Sequence, residues 1–332
     1  MDAGENPESE GDGEEGLTYA EAGVDIGDSE AATAALLGSV GEFEGDYAGL
    51  LEYGNGYLAL TTDGVGTKLL VAEAVGDYST IGIDCIAMNA NDLVAAGVEP
   101  VAFVDYLAID APDEGLTAEL GEGLSAGAER AGVELLGGET AVLPGIVSGF
   151  DLAGAMVGVA GGDDPFDGTA EAGDALVGWA SSGIHSNGLT LAREAATREG
   201  EYGDPFPPDP DRTVGEALLE PTRIYTDLLE PLRAHGVHAA AHVTGGGWTN
   251  LERMGEHRYA VTDPFDPQPV FEFVQRAGGV SDAEMHRTFN MGTGFVAALP
   301  PERADALAAA SGGRVLGRVE AGDGVAVRGL DL

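Results

Sequence analysis

The sequence predicts an α+β protein of two domains, and three observations carry that expectation. A chain of 332 residues with 44% hydrophobic content has apolar mass enough for more than one core. Short apolar runs of strand character and longer runs of helical spacing are mixed in both halves. Between the halves, Gly161-Gly-Asp-Asp-Pro-Phe-Asp-Gly168 has turn chemistry at almost every position and no periodicity. The expected organisation is an acidic tail at 1–16, an N-terminal domain at 17–162 and a C-terminal domain at 170–332.

Taken in order, residues 1–16 (MDAGENPESEGDGEEG) offer almost nothing to bury and are expected as a solvated tail. Folding is expected from Leu17. Residues 57–62 read as a strand, 81–97 as a long apolar helix, 101–109 as a strand and 114–131 as a helix, with further strands at 133–136 and 150–159. In the second half, strands are expected at 175–180, 237–243, 295–299 and 315–319, and helices at 189–196, 220–234 and 300–310. No short-period repeat is visible, and neither half opens on a βαβ unit with GxGxxG.

Composition narrows the function. Fifty-eight acidic against fifteen basic residues give a net charge of −43, which argues against a nucleic-acid partner because like charges repel along a phosphate backbone. The acidity is dispersed and lysine is nearly absent, a pattern suited to concentrated salt, where surface charges are screened within a few ångströms. Cys85 is the sole cysteine, so no intrachain disulfide is possible, and its apolar surroundings read as a packed thiol. No membrane-length apolar run or leader-like segment is seen, and a soluble cytosolic protein is expected.

Five polar segments could carry chemistry, four of them glycine-rich turns and one a polar interruption of an apolar helix. Thr62-Asp-Gly-Val-Gly-Thr-Lys68 holds the only lysine of the chain beside Asp63. Glycines there expose backbone N–H groups, an ammonium meets phosphate oxygens, and a carboxylate holds Mg²⁺. It is not a Walker A loop, which needs a longer glycine spacing and a hydroxyl residue after the lysine. Met88-Asn-Ala-Asn91-Asp92-Leu93 interrupts an apolar helix with amides and a carboxylate, so Asp92 could join Asp63 at a cation. Leu136-Gly-Gly-Glu139-Thr140 reads as a strand running into a turn where backbone could approach phosphate. Ser181-Ser-Gly-Ile-His185-Ser-Asn-Gly188 precedes a helix whose N-terminus would attract anions, with His185 placed for proton transfer. Ala241-His242-Val-Thr-Gly-Gly-Gly247-Trp-Thr-Asn250 has the three successive glycines of a phosphate nest. From the residues alone, the expected activity is Mg²⁺-dependent phosphoryl transfer or ATP-driven ligation on an anionic substrate.

These segments, with Tyr19-Ala-Glu-Ala-Gly-Val-Asp25, Pro144-Gly145 after the third turn and Pro221-Thr-Arg-Ile-Tyr225, resemble in order and spacing the phosphoribosylformylglycinamidine cyclo-ligase (AIR synthetase) family. The resemblance runs from about Leu17 to the C-terminus. It implies ATP-dependent ring closure of formylglycinamidine ribonucleotide to 5-aminoimidazole ribonucleotide, and a homodimer whose N-terminal sheets join in a barrel beside a C-terminal α/β sandwich. It further implies Asp63, Asp92 and Glu139 as Mg²⁺ carboxylates, and Gly64, Gly66, Thr67, Lys68, Asn91, Gly137, Gly138, Glu139 and Thr140 as ATP contacts. His185, His242 and Asp92 become catalytic candidates. Ser182, Gly183, Ser186, Asn187, Thr244, Gly245, Gly246 and Gly247 would hold the ribonucleotide. Ala31–Leu37 lacks basic residues that relatives often carry, which puts a nucleotide contact from that segment in doubt.

Two other readings compete. Thiamine-phosphate kinase and selenide, water dikinase resemble the same superfamily and make a small-molecule kinase the main alternative. A non-catalytic cation-binding protein would need clustered DxDxDG-type loops, and the sequence has none.

Overall fold

In the computed structural model, residues 16–24, 31, 35, 47–162, 164–166 and 168–332 are described. The acidic tail up to residue 15 and, except for residues 31 and 35, the segment 31–37 whose nucleotide contact is in doubt lie outside the described residues.

The first sheet has five strands: β1 (Gly49–Tyr53), β2 (Gly56–Gly64), β3 (Glu99–Ile109), β4 (Glu134–Val142) and β5 (Phe150–Gly161), in spatial order β1-β2-β5-β3-β4. Burial along β5 alternates with period two, so one face meets a core and the other faces outward. The inner face is covered by α2 (Ile81–Ala95), which follows the short α1 (Lys68–Val75), and by α3 (Glu114–Ala131) packed on α2. The two helices approach closely because Gly82 meets the backbone of residues 123–124, where a Cβ would collide. Helix α3 starts on Asp113, whose side chain accepts from the amides of Gly115 and Leu116, and stops on left-handed Gly132.

The second sheet contains β6 (Ala175–Ala180), β9 (Ala239–His242), β10 (Arg258–Val261), β11 (Thr293–Leu299), β12 (Arg314–Glu320), β13 (Val325–Val327) and β14 (Leu330–Asp331), in spatial order β14-β13-β10-β12-β6-β11-β9. A small hairpin of β7 (Pro205–Phe206) and β8 (Asp209–Thr213) stands apart. Strands β6 and β11 are almost wholly buried and read as continuous apolar runs, as strands covered on both faces do. Two expectations differ from this structure. The helix expected over 220–234 is broken: Glu220–Tyr225 is extended, and only Leu229–Ala234 is α-helical. Gly137–Thr140, expected as a turn, lies inside β4, because its backbone is drawn into a parallel ladder with β3.

The extended segment is the physical join between the two halves. Asp84 and Asn91, seven residues apart on one side of α2, bind its backbone. Asp84 Oδ1 accepts from the Thr222 amide (2.8 Å) and hydroxyl (2.6 Å), while Asn91 accepts from Tyr225 N (2.8 Å) and donates to Arg223 O (2.9 Å). Lys68 Nζ lies 2.7 Å from Asp84 Oδ2 and donates to Glu220 O at 2.7 Å, with both charged side chains fully buried. The sole lysine is therefore a structural ion-pair member, and the expected phosphate contact is corrected: no part of its ammonium reaches solvent. Burial lowers its pKa, and Asp84 opposes that shift.

Removing one partner of a buried pair strands a charge, at about 3–5 kcal/mol, whereas replacing both is much milder. Lys68→Met should cost about that much in denaturant unfolding, and Lys68→Met with Asp84→Leu should recover most of it. Equal stability of Lys68→Met and the native chain would contradict the role assigned to this pair.

Candidate active site

The site gathers where β2 ends against the middle of α2. Asp63 is in register with Gly154 of β5, which pairs with Asp105 of β3, which pairs with Gly138 of β4. Residues in register point to one face, so Asp63 and Asp105 both face the helices. Gly138 is small for a steric reason, since a Cβ there would collide with the Asp105 carboxylate. Gly137, at φ 138°, follows a bulge in which Leu136 has no partner on β3. Glycine at both positions is thus explained by backbone and packing.

Glu139 is in register with Tyr106 and so faces the other side of the sheet from Asp63. The expected trio Asp63, Asp92 and Glu139 is not assembled within one chain. Among the described residues, no group of three or more His, Cys, Asp or Glu side chains gathers around a common point.

Asp63 and Asp92 do approach each other. Burial, and next the charge of Asp92, push the Asp63 carboxyl up to about 6, partly offset by the Gly64 amide that donates to it at 2.7 Å and by His242 and Arg253. Two carboxylates facing one region, both offering hard oxygen donors, fit a divalent cation, which would remove their mutual repulsion. Asp92 Oδ1 also lies 3.0 Å from His242 Nδ1, and His242 Nε2 lies 3.3 Å from Asn91 Nδ2. The pattern is satisfied by the tautomer in which Nδ1–H donates to Asp92 and Nε2 accepts from Asn91.

Several expected ligands are committed elsewhere. Asn91 spends its amide on Arg223, Tyr225 and His242, which corrects its expected nucleotide contact. His242 is fully buried, so its reach into the site is through Asp92. His185 is corrected from proton transfer to loop shaping. It is 1% exposed at φ 68°, and its Nε2 accepts from Ser182 N (3.1 Å). Burial, helped by neighbouring positive groups, holds it well below the usual imidazole range, so it is neutral. The hydroxyl of Ser182 donates to Pro221 O (2.6 Å), and that of Ser186 lies 3.4 Å from Thr222 Oγ1, so both face the joining segment. Gly183 accepts from Asn290 through its carbonyl.

The remaining expected residues fall into two groups, those of three loops and those of β4. Gly64 closes β2, Gly66 turns the chain at φ 71°, and Thr67 meets Thr190 hydroxyl to hydroxyl at 2.9 Å. Asn187 is half-buried beside Met88 and close to Gly245, so the loops 181–188 and 244–247 meet over α2. Thr140 and Glu139 stay exposed on β4. Sequence reasoning missed Asp84, Asp105, Asn250 and Arg253. A charge inside the apolar run 81–88 was a readable signal for Asp84, and Asn250 closes the fifth glycine segment; nothing marked Asp105 or Arg253.

Comparison with known proteins matches residues 45–160 to the AIR synthase related protein N-terminal domain and 171–329 to the corresponding C-terminal domain. The chain is 47% identical over 318 residues to phosphoribosylformylglycinamidine cyclo-ligase of Methanosarcina acetivorans, covering 92% of this chain and 96% of that protein. It is 48% identical over 302 residues to the enzyme of the same name from Thermococcus gammatolerans, covering 86% and 89%. Among solved structures, tt0281 from Thermus thermophilus aligns with TM-score 0.65 at 26% identity over 91% of this chain and 97% of that one. Thiamine monophosphate kinase from Aquifex aeolicus aligns with TM-score 0.66 over 93% and 99%; at 18% identity this likeness concerns the fold alone.

The raised Asp63 carboxyl gives a pH prediction. Its folded pKa lies above the unfolded value of 3.8, so its contribution to stability is present below about pH 4 and is lost as pH rises through about 6. Asp63→Asn should therefore unfold at higher denaturant than the native chain at pH 7, by up to about 3 kcal/mol, with a flatter profile from pH 4 to 6. Identical pH profiles for the two proteins would refute the assignment.

Proposed function

This chain belongs to the phosphoribosylformylglycinamidine cyclo-ligase family, and from that premise we propose how its own residues close an imidazole ring. The reaction converts formylglycinamidine ribonucleotide and ATP to 5-aminoimidazole ribonucleotide, ADP and phosphate. The observation that carries this reading is near-half identity over almost the whole chain to enzymes of that name, with the paired carboxylates Asp63 and Asp92 at the meeting point of the glycine loops.

The γ-phosphoryl group passes to the formyl oxygen, the amidine nitrogen then bonds to that carbon, and the C–O bond breaks with phosphate as leaving group. A Mg²⁺ ion held by Asp63 and Asp92 would neutralise triphosphate charge. Asp92 is oriented by His242, which keeps one carboxylate oxygen engaged and leaves the other for the ligand. The loop 64–67 approaches the nucleotide, and Asn187 with residues 244–247 approaches the ribonucleotide phosphate. His185 fixes the backbone of the 181–188 loop at Ser182, and Asn91 fixes that of the joining segment at Arg223 and Tyr225.

The chain works as a homodimer in this reading. Leu51, Leu60, Val104, Tyr106 and Val159 form an apolar outer face on the first sheet, and Leu60 is 60% exposed. Joining two such faces closes the sheets into a barrel and brings Glu139, which lies on that face, to the partner subunit. The domain limits 17–162 and 170–332 and a cytosolic, salt-rich setting complete the proposal. Among the described residues, no helix is long and apolar enough to cross a membrane.

Purified protein given formylglycinamidine ribonucleotide, ATP and Mg²⁺ in high-salt buffer should form the aminoimidazole product. Phosphate release without that product, or phosphorylation of thiamine phosphate instead, would refute the assignment. Tyr106→Glu should shift light-scattering mass from dimer to monomer and reduce activity at least about tenfold, since charge on an apolar interface is strongly unfavourable. A dimer that survives Tyr106→Glu with Leu60→Glu would place the interface elsewhere.

A further inference from the structure

The loop Thr244–Gly247 is shaped by a side chain outside the glycine motif. Asn250 is 5% exposed. Its Oδ1 accepts from Thr244 N at 2.7 Å and from the Thr244 hydroxyl at 3.3 Å, and its Nδ2 donates to Gly245 O at 3.1 Å. One planar amide thus takes up the donor of the first loop residue and the acceptor of the second. The loop is closed further by Gly247 N donating to Thr244 O (2.9 Å) and Thr249 N donating to Gly246 O (3.1 Å). The amides of Gly245 and Gly246 are the donors left over, and among the described residues they have no partner.

The rear of the loop is fixed as well. Gly247, at φ 54°, sits where a Cβ would collide with His286 O, so the loop has no room to retreat. Gly246 adopts φ 101°, open to glycine at little cost and to other residues only with strain. Two successive free amides on a loop held from inside and behind form an anion-accepting nest, and such a nest works only while its donors stay aimed together.

We infer that Asn250 is a positioning residue for substrate binding: it holds the Gly245 and Gly246 amides in the orientation that receives the ribonucleotide phosphate. An aspartate would keep the acceptor for Thr244 N but oppose the Gly245 carbonyl with a negative charge. An alanine would release all three bonds and leave the Thr244 N–H unsatisfied. The inference rests on the proposed placement of the ribonucleotide at this loop, so its test must separate the two.

Steady-state kinetics of full-length Asn250→Ala and Asn250→Asp, with ribonucleotide and ATP varied in turn, make the test. Gly245→Val serves alongside, because a Cβ at Gly245 meets only Asn187 Oδ1, at an ordinary 3.5 Å. KM for the ribonucleotide should rise about tenfold or more in both Asn250 variants, with kcat within about threefold and KM for ATP unchanged. A fall in active-enzyme fraction or kcat with both KM values fixed would reduce Asn250 to a structural residue and overturn the inference. A rise in KM for ATP alone would also overturn it, assigning the loop to the nucleotide. If Gly245→Val raises the ribonucleotide KM while Asn250→Ala does not, positioning fails and the loop's placement stands. If neither variant changes it, the placement itself fails, and the inference with it.

Discussion

Much of this structure depends on the buried ion pair of Lys68 and Asp84 and on the extended segment it grips. Two charges without solvent are costly unless every remaining donor and acceptor is met. Here the ammonium also donates to Glu220 O, and the carboxylate also accepts from the Thr222 amide and hydroxyl. Satisfying those atoms forces Glu220–Tyr225 out of a helix and against α2. Two turns further along α2, Asn91 binds the same segment. The C-terminal loops are thereby hung on the helix that carries Asp92, so the relative placement of the two sheets and the geometry of the site have one cause.

The same helix separates two kinds of polar group. Residues facing the joining segment are fully buried and fully paired, and they set shape. Asp92, 17% exposed at the side chain, keeps one oxygen tied to His242 and lies near Asp63, whose carboxyl pKa is pushed up to about 6 by burial and by that neighbour. A bound cation would relieve an electrostatic tension of this sort. The loops above it are shaped by buried side chains. His185 at positive φ and Asn290 hold residues 182–184, and Asn250 holds 244–245.

Legibility in the sequence was uneven for physical reasons. The helix expected at 114–131 and the strands expected at 150–159 and 175–180 followed from helical, period-two or continuous apolar patterns, which depend on neighbouring residues only. The broken helix at 220–225 was invisible, because the partners that pull it straight lie more than a hundred residues away in Lys68, Asp84 and Asn91. In the site, Asp63 and Asp92 were readable as carboxylates interrupting glycine-rich or apolar runs. Among the residues whose partners differ from the expectation are Lys68, Asn91 and His185, because motif chemistry does not show whether a polar atom faces a ligand or its own backbone.

The sequence by itself determined the family, through segments whose order and spacing match proteins that are close to half identical, and it determined which residue types collect at the glycine turns. Only the tertiary structure decided what each polar group touches. Glu139 is three strands from Asp63 and on the other face of the sheet, since register and pleat assign sides that spacing along the chain does not encode. The lone lysine is an interior counter-ion for the same reason: its partners are chosen by packing, and packing joins residues that the sequence keeps apart.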